Sequence, residues 1–438
     1  MPLLSVIVTA YNIEAYLAEC LDTVIGQTLA DIEIIVVDDG STDRTPEIIR
    51  AYAARDERVK PVFLPENTIG GVASAANAGL DLATGTYVGF VDGDDYLDPT
   101  MFEELCAAAM ACGADLAMCR YKEVVGPEKT LRDPAERRRW VRFKETRCMA
   151  LDRDDNTVSI LRFIAVPWRK IYARRLIAEH AIRFPVVDYF WEDNPFHWFA
   201  VCSADAIAVV PKVLCYHRVG RAGQTMDTRD AGLLKMFGHY ETIRAWLEAR
   251  GLLGSYHAPL LGWAISQYQW IHKRIPREAG PALAEVMAGI VGPVDAGVFD
   301  RSLREKRFRT RQQMRRLRAG NREAFLKSFN RQFDKAAGTG GKGEATRGEA
   351  LSLLRLFVGH LKTHGLRATL VKSVRQLRSD RFSGRFRRHR NPALTEETML
   401  KYMALLQRDI DRKHAEQLDR LEAIEKALRD RDPPRGGA

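Results

Sequence analysis

The sequence predicts an α/β protein whose mostly parallel sheet is covered by helices on both faces. Three observations carry this. Continuous apolar runs recur at residues 3–9, 32–37 and 87–91, the pattern of strands buried on both faces. Helical periodicities fall between them. Each run stops abruptly in a polar loop, at Thr9-Ala-Tyr-Asn12, Asp38-Asp39-Gly40-Ser41 and Asp92-Gly-Asp-Asp95. Parallel sheets bind ligands beyond the C-terminal ends of their strands, so three such endings on one edge make a site.

Taken in order, the first strand is broken by Ala10-Tyr11-Asn12 and followed by a helix with Ala15, Leu17, Leu21, Val24 and Ile25 on one side. The second strand ends in helix-capping residue types ahead of Pro46. Residues 59–64 read as a short strand, and Gly70-Gly71 precedes an Ala-rich helix through Leu82. The strand ending at Asp92 leads to a helix over 99–112 and a strand over 115–119. Residues 120–165 show no clear period, and the charged stretch 128–147 reads as a helical insertion or flap. A helix over 195–201 and two short strands at 206–210 and 213–218 follow. Leu233, Met236, Tyr240, Trp246, Leu260, Leu261, Trp263, Ile265 and Trp270 then describe a helical domain over 227–335. Its last part, 301–335, is basic, with Phe308, Met314, Leu317, Phe325 and Phe329 as the apolar minority. Gly338-Thr-Gly-Gly-Lys-Gly marks a flexible linker over 336–350, and basic and charged helices fill 351–438.

The 438 residues carry a net charge of +10, unevenly spread. Residues 301–335 hold thirteen Lys/Arg against three acids, and 351–390 hold eleven against Asp380 alone. An acidic N-terminal body with a basic C-terminal portion suggests an anionic partner for the latter. Leu353, Leu354, Phe357, Leu361 and Leu370 give 351–390 an apolar side. That fits attachment to an anionic membrane surface, and it equally fits packing on the same protein. Nucleic acid is disfavoured, because no binding motif accompanies the charge. Residues 395–431 trace an interrupted heptad that suits self-association. No run nears the roughly 20 apolar residues of a membrane span, and the N-terminus reads as a strand rather than a signal peptide. The seven cysteines form no C-x-x-C pair and read as reduced core thiols. The expected place is the cytoplasm, with a peripheral position at the inner face of the cell membrane suggested by the basic tail.

Asp92, Asp94 and Asp95 crowd three carboxylates at a strand end. A hard divalent cation, Mg²⁺ or Mn²⁺, would neutralise them and keep positions open for phosphate. The plainer alternative is a solvated acidic turn with Asp95 capping the next helix. Ser5-Val-Ile-Val-Thr-Ala-Tyr-Asn12, Val36-Val-Asp-Asp-Gly-Ser-Thr-Asp43, Asn77-Ala-Gly79 and Phe90-Val-Asp-Gly-Asp-Asp-Tyr-Leu97 together resemble the family 2 glycosyltransferases of GT-A fold, over roughly residues 1–225. The resemblance implies a catalytic domain over 1–226, with a nucleotide-sugar-binding half (1–119) and an acceptor-side half (160–226). Thr9, Ala10, Tyr11, Asn12, Asp39 and Asn77 would line the donor pocket, with Asp39 accepting from the base. Asp92, Gly93 and Asp94 match the D-x-D element, with Asp94 the expected direct metal ligand beside Asp92. Many relatives carry Arg where this chain has Ala76, so a cation near the aspartates is missing or comes from elsewhere.

Val166-Pro-Trp-Arg-Lys-Ile-Tyr172 resembles the family's W-x-K-x-Y segment, and Glu192-Asp193 its E-D element. There Asp193 would be the general base of an inverting transfer, with Glu192 orienting it or the acceptor. The alternative is that Asp193 only caps a helix, where acids are favoured anyway. Asp188 is a further candidate base. Trp191 and Trp198 suit sugar stacking or core packing. Tyr216-His-Arg-Val-Gly-Arg-Ala-Gly-Gln-Thr-Met226 resembles the closing loop, with Arg218 and Arg221 for phosphate oxygens and His217 as a further metal ligand or a satisfied imidazole. The implied activity is sugar transfer from a nucleotide-diphosphate sugar, UDP-linked by expectation, to a cell-surface glycan or lipid-linked acceptor. Two other readings stand beside it. A sugar nucleotidyltransferase would want a Gly-rich basic loop after the first strand, and Thr9-Ala-Tyr-Asn12 is not one. A non-catalytic scaffold would act through the basic tail and would have no use for carboxylates at 39, 92, 94 and 193.

Overall fold

The computed structural model describes residues 1–151, 155–220 and 230–338. Arg221, the linker beyond Gly338, the basic stretch 351–390 and the heptad 395–431 lie outside the described residues. Strands β1 (Leu4–Ala10), β2 (Ile32–Asp38), β3 (Val59–Phe63) and β4 (Tyr87–Asp92) alternate with helices α1 (Leu17–Ile25), α2 (Thr45–Arg55) and α3 (Val72–Leu82). They pair in parallel in the order β3-β2-β1-β4. β2 is buried along its whole length and β1 almost so, which accounts for their largely apolar sequences. Thr9 pairs with both Val37 and Asp92, and Ala10 with Asp38. The register therefore brings the three polar strand ends together on one edge.

Past β4 the sheet is mixed. β5 (Tyr96–Leu97), α4 (Met101–Cys112), β6 (Leu116–Val125), β7 (Thr130–Arg132), β8 (Arg147–Ala150), α5 (Asp155–Leu161), β9 (Lys170–Ala173), α6 (Arg174–Glu179), α7 (Asp193–Ser203) and β10 (Ala206–Val219) follow in the chain. β9 is antiparallel between β4 and β6, while β6 and β10 run parallel. The two short strands expected at 206–218 are one strand, β10, with register shifts between Val210 and Cys215. Pro211 lies in that interval and cannot donate to the ladder.

The charged stretch 128–147 is not the expected helix. It supplies β7, a 3₁₀ turn over Arg137–Arg142, and the start of β8. Charge alone gives no period; what anchors the segment is Trp140, buried beside Phe143 and Phe163, and the carboxylate of Glu136. The cysteines also depart from expectation. Cys112 at the end of α4 and Cys148 in β8 form a disulfide, with Cα atoms 5.5 Å apart. The sheet brings together residues 36 apart in sequence, which spacing could not reveal.

Helices α8 (Gly238–Ala249), α9 (Leu253–Ile271), α10 (Gly280–Val291), α11 (Ala296–Leu303), α12 (Phe308–Arg318) and α13 (Arg322–Gly338) complete the described chain. Their apolar faces join the sheet's core within one compact unit, Met1–Ala336. Met314, Leu317, Phe325 and Phe329 are buried as expected, but Phe308 is 67 % exposed. No helix of the described residues is long and apolar enough to cross a membrane. Beneath the site, Phe90 of β4, Tyr172 of β9, Phe184 and Phe196 of α7 pack edge to face or stacked, the last two with ring centroids 3.9 Å apart. This cluster ties α7 to the strand that ends in Asp92.

Candidate active site

The end of β1 and the loop after β2 are stitched together by hydrogen bonds. Asn12, at φ +47°, donates from its main chain to Ser41 Oγ (2.9 Å) and accepts the Thr42 amide on Oδ1 (2.8 Å). The Asp39 amide donates to the Ala10 carbonyl (2.9 Å). The buried Asp39 carboxylate accepts from Thr68 Oγ1 (2.7 Å), the Thr68 amide (3.2 Å) and Asn67 Nδ2 (3.0 Å). Burial raises its pKa, partly offset by Thr68. Gly40 sits at φ +72°, and a Cβ there would meet the Glu66 carbonyl carbon at 2.3 Å, so only glycine fits. Tyr11 is exposed on this edge. Asn77 is engaged with the chain ahead of α7. Both ends of its amide hold the main chain of Phe184, at 2.8 and 3.0 Å.

The acidic turn at the end of β4 lies tight against β1. The Gly93 amide donates to the Thr9 carbonyl (3.0 Å), and a Cβ on Gly93 would stand 2.6 Å from Ile13 Cδ1 and 2.8 Å from that carbonyl. β5 then pairs antiparallel with Cys215–Tyr216 of β10, which carries His217 over the turn. His217 Nδ1 lies 2.8 Å from Asp95 Oδ2, and the Arg218 amide donates to Asp95 Oδ1 (2.8 Å). Asp95 is thus a partner of β10 rather than a helix cap, and Asp98 accepts the Thr100 amide (3.0 Å) in the turn ahead of α4. Arg218 Nε donates to the Asp94 carbonyl (2.5 Å), and its guanidinium pairs with Glu19 (2.7 Å), which also holds Lys129 (2.6 Å). Among the described residues the positive groups beside the aspartates are therefore His217 and Arg218, while Ala76 is buried in α3.

Burial pushes the Asp92 carboxyl well up, and the Asp95 and Asp94 charges push it further. Burial works against the His217 charge, but Asp95, helped by Asp92 and Asp94, outweighs it and raises the imidazole to about 9. Ligand atoms of Asp92, Asp95 and His217 all lie within 4.8 Å of one another. Opposed ligands of an ion with bonds of about 2.1 Å stand about 4.2 Å apart, so small side-chain shifts would close this set on Mn²⁺ or Mg²⁺. The donor set, two carboxylates and an imidazole, suits a divalent cation. Asp94, the expected direct ligand, is buried beside this triad and not part of it.

Glu192 and Asp193 begin α7. Glu192 is buried, and burial with the neighbouring Asp193 charge raises it to about 8. Asp193 rises to about 6 through burial, held back by Lys170 and His217. Charges of Asp193, His217 and Asp92 act on one another, so the acceptor-side carboxylate and the acidic turn address one region. Lys170 is fully buried, donates to the carbonyls of Ala165 (3.2 Å) and Val166 (2.5 Å), and is driven well below its ordinary pKa by burial and Arg169. Asp188 is exposed in an ion pair with Lys235 (2.7 Å). Trp198 is core, and Trp191 packs on Trp270 of α9. The sequence marks Asp95 only as the third carboxylate of the turn or a cap for the next helix, and Lys170 only as part of the W-x-K-x-Y segment. A cavity of about 420 Å³ lined by Tyr87, Met110, Arg174 and Arg175 lies at the opposite ends of the strands and contains none of these groups.

Residues 5–168 match the family described as Glycosyl transferase family 2. The uncharacterized glycosyltransferase EpsJ of Bacillus subtilis is 36 % identical over 218 residues, 50 % of this chain and 61 % of EpsJ. Glycosyltransferase GlyG of Streptococcus pneumoniae is 41 % identical over 119 residues, 27 % of this chain and 39 % of GlyG. The chain thus spans less than two thirds of either relative. Among solved structures, S. aureus TarS 1-349 in complex with UDP-GlcNAc shares the fold at a TM-score of 0.59 and 22 % identity, over 76 % of this chain and 92 % of that one.

Proposed function

We propose that the chain, whose residues 5–168 match glycosyl transferase family 2, moves a sugar from a nucleoside-diphosphate donor to an acceptor hydroxyl with inversion. The observation that carries the proposal is the pairing of two carboxylate groups with opposite tasks. The Asp92–Asp95 turn with His217 is built to meet a cation and a diphosphate. Asp193, partly buried and raised to about 6 within the field of the Lys170 charge, is built to take a proton near neutral pH.

Asp92, Asp95 and His217, with Asp94 adjoining, would hold Mn²⁺ or Mg²⁺. Such an ion, when bound, neutralises charge on the leaving diphosphate. Thr9, Ala10, Tyr11, Asn12 and Asp39 would receive the nucleoside, and Gly93, whose missing Cβ lets the acidic turn close on β1, would stand beside them at the donor. Arg218, held over the turn by the Asp94 carbonyl and Glu19, would steady the phosphates by exchanging Glu19 for them, with Arg221 as a second candidate. Asp193 accepts the acceptor hydroxyl's proton while that oxygen bonds to the anomeric carbon and the bond to the diphosphate breaks. Glu192, protonated below about 8, is free to donate a hydrogen bond to the acceptor. TarS, which shares the fold, has been crystallised with UDP-GlcNAc, which favours a UDP-sugar. The acceptor class is a surface glycan or lipid-linked sugar, and the setting the cytoplasmic side of the membrane.

The test is release of nucleoside diphosphate from a panel of UDP-, GDP- and CDP-sugars with Mn²⁺, Mg²⁺ or EDTA. Turnover of one donor, abolished by EDTA and by Asp92→Asn, is expected. Silence across the panel, joined by calorimetry showing no metal-dependent nucleotide binding, would defeat the reading.

A further inference from the structure

We propose that His239, Trp263 and Trp270, all in the helices after the sheet, are positioning residues that hold the Glu192–Asp193 pair in working geometry. The inference rests on the reading of Asp193 as the base. The segment leading into α7 has little regular structure of its own between Phe184 and Asp193. Trp191 sits at φ +73°, a conformation an aromatic residue does not adopt without outside support. Its carbonyl accepts from both the amide (3.1 Å) and the Nδ2 (3.0 Å) of Asn194. That bracket encloses Glu192 and Asp193, so whatever fixes Trp191 and Asn194 fixes the pair.

Both are fixed from the helical side. Trp263 Nε1 in α9 donates to Asn194 Oδ1 (3.1 Å), which leaves the Asn194 amide nitrogen turned to Trp191. About two turns further along the same helix, the Trp270 ring packs edge to face on Trp191, with centroids 5.8 Å apart. His239 in α8 meets the Phe190 carbonyl through Nε2 at 2.9 Å. A carbonyl only accepts, so Nε2 carries the proton, and Nδ1 has no partner among the described residues. His239 is wholly buried, so this contact is not shared with water. Its ring also lies 4.8 Å from that of Tyr189. Three helix side chains thus grip Phe190, Trp191 and Asn194, on either side of two carboxylates. None needs to touch donor or acceptor.

The variants are His239→Ala, His239→Gln, whose amide can place a donor near Nε2, and Trp263→Phe, which keeps a ring but loses the donor. Amide hydrogen exchange over residues 188–194 is read on the full chain, beside steady-state turnover of the best UDP-sugar of the panel. His239→Ala and Trp263→Phe should speed exchange there about tenfold, the equivalent of one lost hydrogen bond. They should lower kcat by about 100-fold and leave the donor KM within about twofold. His239→Gln should restore both readouts. Unchanged exchange overturns the proposal, as does faster exchange at full kcat, or a Gln variant no better than Ala. Asp193→Asn separates the failures. Full activity in Asp193→Asn removes the base and the proposal with it, whereas an inactive Asp193→Asn beside fully active His239→Ala and Trp263→Phe removes only the positioning role. A chain that turns over no donor of the panel and shows no metal-dependent nucleotide binding ends the transfer reading, and exchange then decides the grip alone.

Discussion

Glu136 and Arg169 form an ion pair in the interior, 5 % and 0 % exposed. Glu136 accepts from both terminal nitrogens of Arg169, from Trp140 Nε1 (3.0 Å) and from the Ile164 amide (2.6 Å). Replacing Glu136 by Gln removes the charge but not the volume. Arg169 cannot shed its proton, so a guanidinium remains in the core with its counter-ion gone, at a cost of about 3–5 kcal/mol. Unfolding entropy of about 2.1 cal/mol/K per residue, over the unit Met1–Ala336, makes each kcal/mol worth about 1.4 °C. The expected loss in Tm is therefore about 4–7 °C, against a total stability of about 5–15 kcal/mol. Glu136→Leu with Arg169→Met, which removes both charges, should recover most of it. Acid adds a second arm. Burial favours the neutral Glu136, but Arg169 outweighs it and holds the pKa below the ordinary 4.5. The pair's contribution is thus full above about 4.5 and fades as pH falls through the lower folded value. Glu136→Gln should lose that acid limb. Calorimetry of the three proteins from pH 3 to 8 reads all of this. A Glu136→Gln melt within about 1 °C of wild type, or a double variant no more stable than the single, would refute the reasoning.

Gly93→Ala sets a Cβ 2.8 Å from a main-chain carbonyl that cannot yield. It should cost about 1–3 kcal/mol and weaken Mn²⁺ binding, as followed by melting and calorimetry; unchanged values in both would contradict the packing described. Turnover should rise with pH through about 6 as Asp193 ionises, and Asp193→Asn should lose at least about 100-fold; a flat profile in wild type would exclude Asp193 as base. The raised folded pKa values of Glu192 and Asp193 mean that their stabilising contribution is present below the ordinary carboxylate range and is lost as pH rises through about 6 and about 8. Glu192→Gln should therefore melt higher than wild type at pH 9 and show no such gain at pH 4. Asn77→Ala should lose about 1–3 kcal/mol through the abandoned Phe184 main chain with donor KM unchanged; a selective rise in donor KM would return Asn77 to the donor pocket.

The donor edge was readable because its strands are buried on both faces. Val6–Val8 and Ile34–Val37 have no solvent side to alternate with, so each run and its polar end stand out in one dimension. What the sequence concealed is set by pairing between distant segments. Asp95 meets His217 across 122 residues because β5 pairs with β10, and no local pattern distinguishes it from Asp94. Asn77 meets Phe184 across 107 residues. The stretch 128–147 has no period because its order comes from Trp140 and Glu136 reaching into the core. The resemblance found Glu192-Asp193, but Trp263 read only as a member of a helical apolar face, and nothing in the sequence singled out His239.

Raised carboxylates and a left-handed Trp191 are both locally unfavourable, and they stand next to each other. Glu192 and Asp193 would relax toward ordinary acidity if the start of α7 opened to water, and Trp191 would relax to a negative φ by the same movement. The two tendencies add, so the active conformation needs opposing contacts on both sides. From the sheet side, Phe196 stacks on Phe184 over Phe90 and Tyr172, each ring worth about 1.5–3 kcal/mol when buried. From the helical side come Trp263, Trp270 and His239. The helices after residue 237 are thus joined energetically to the acidity of the base, and a sheet domain cut free of them would be expected to keep its donor edge while losing the pKa values that suit Asp193 to its task.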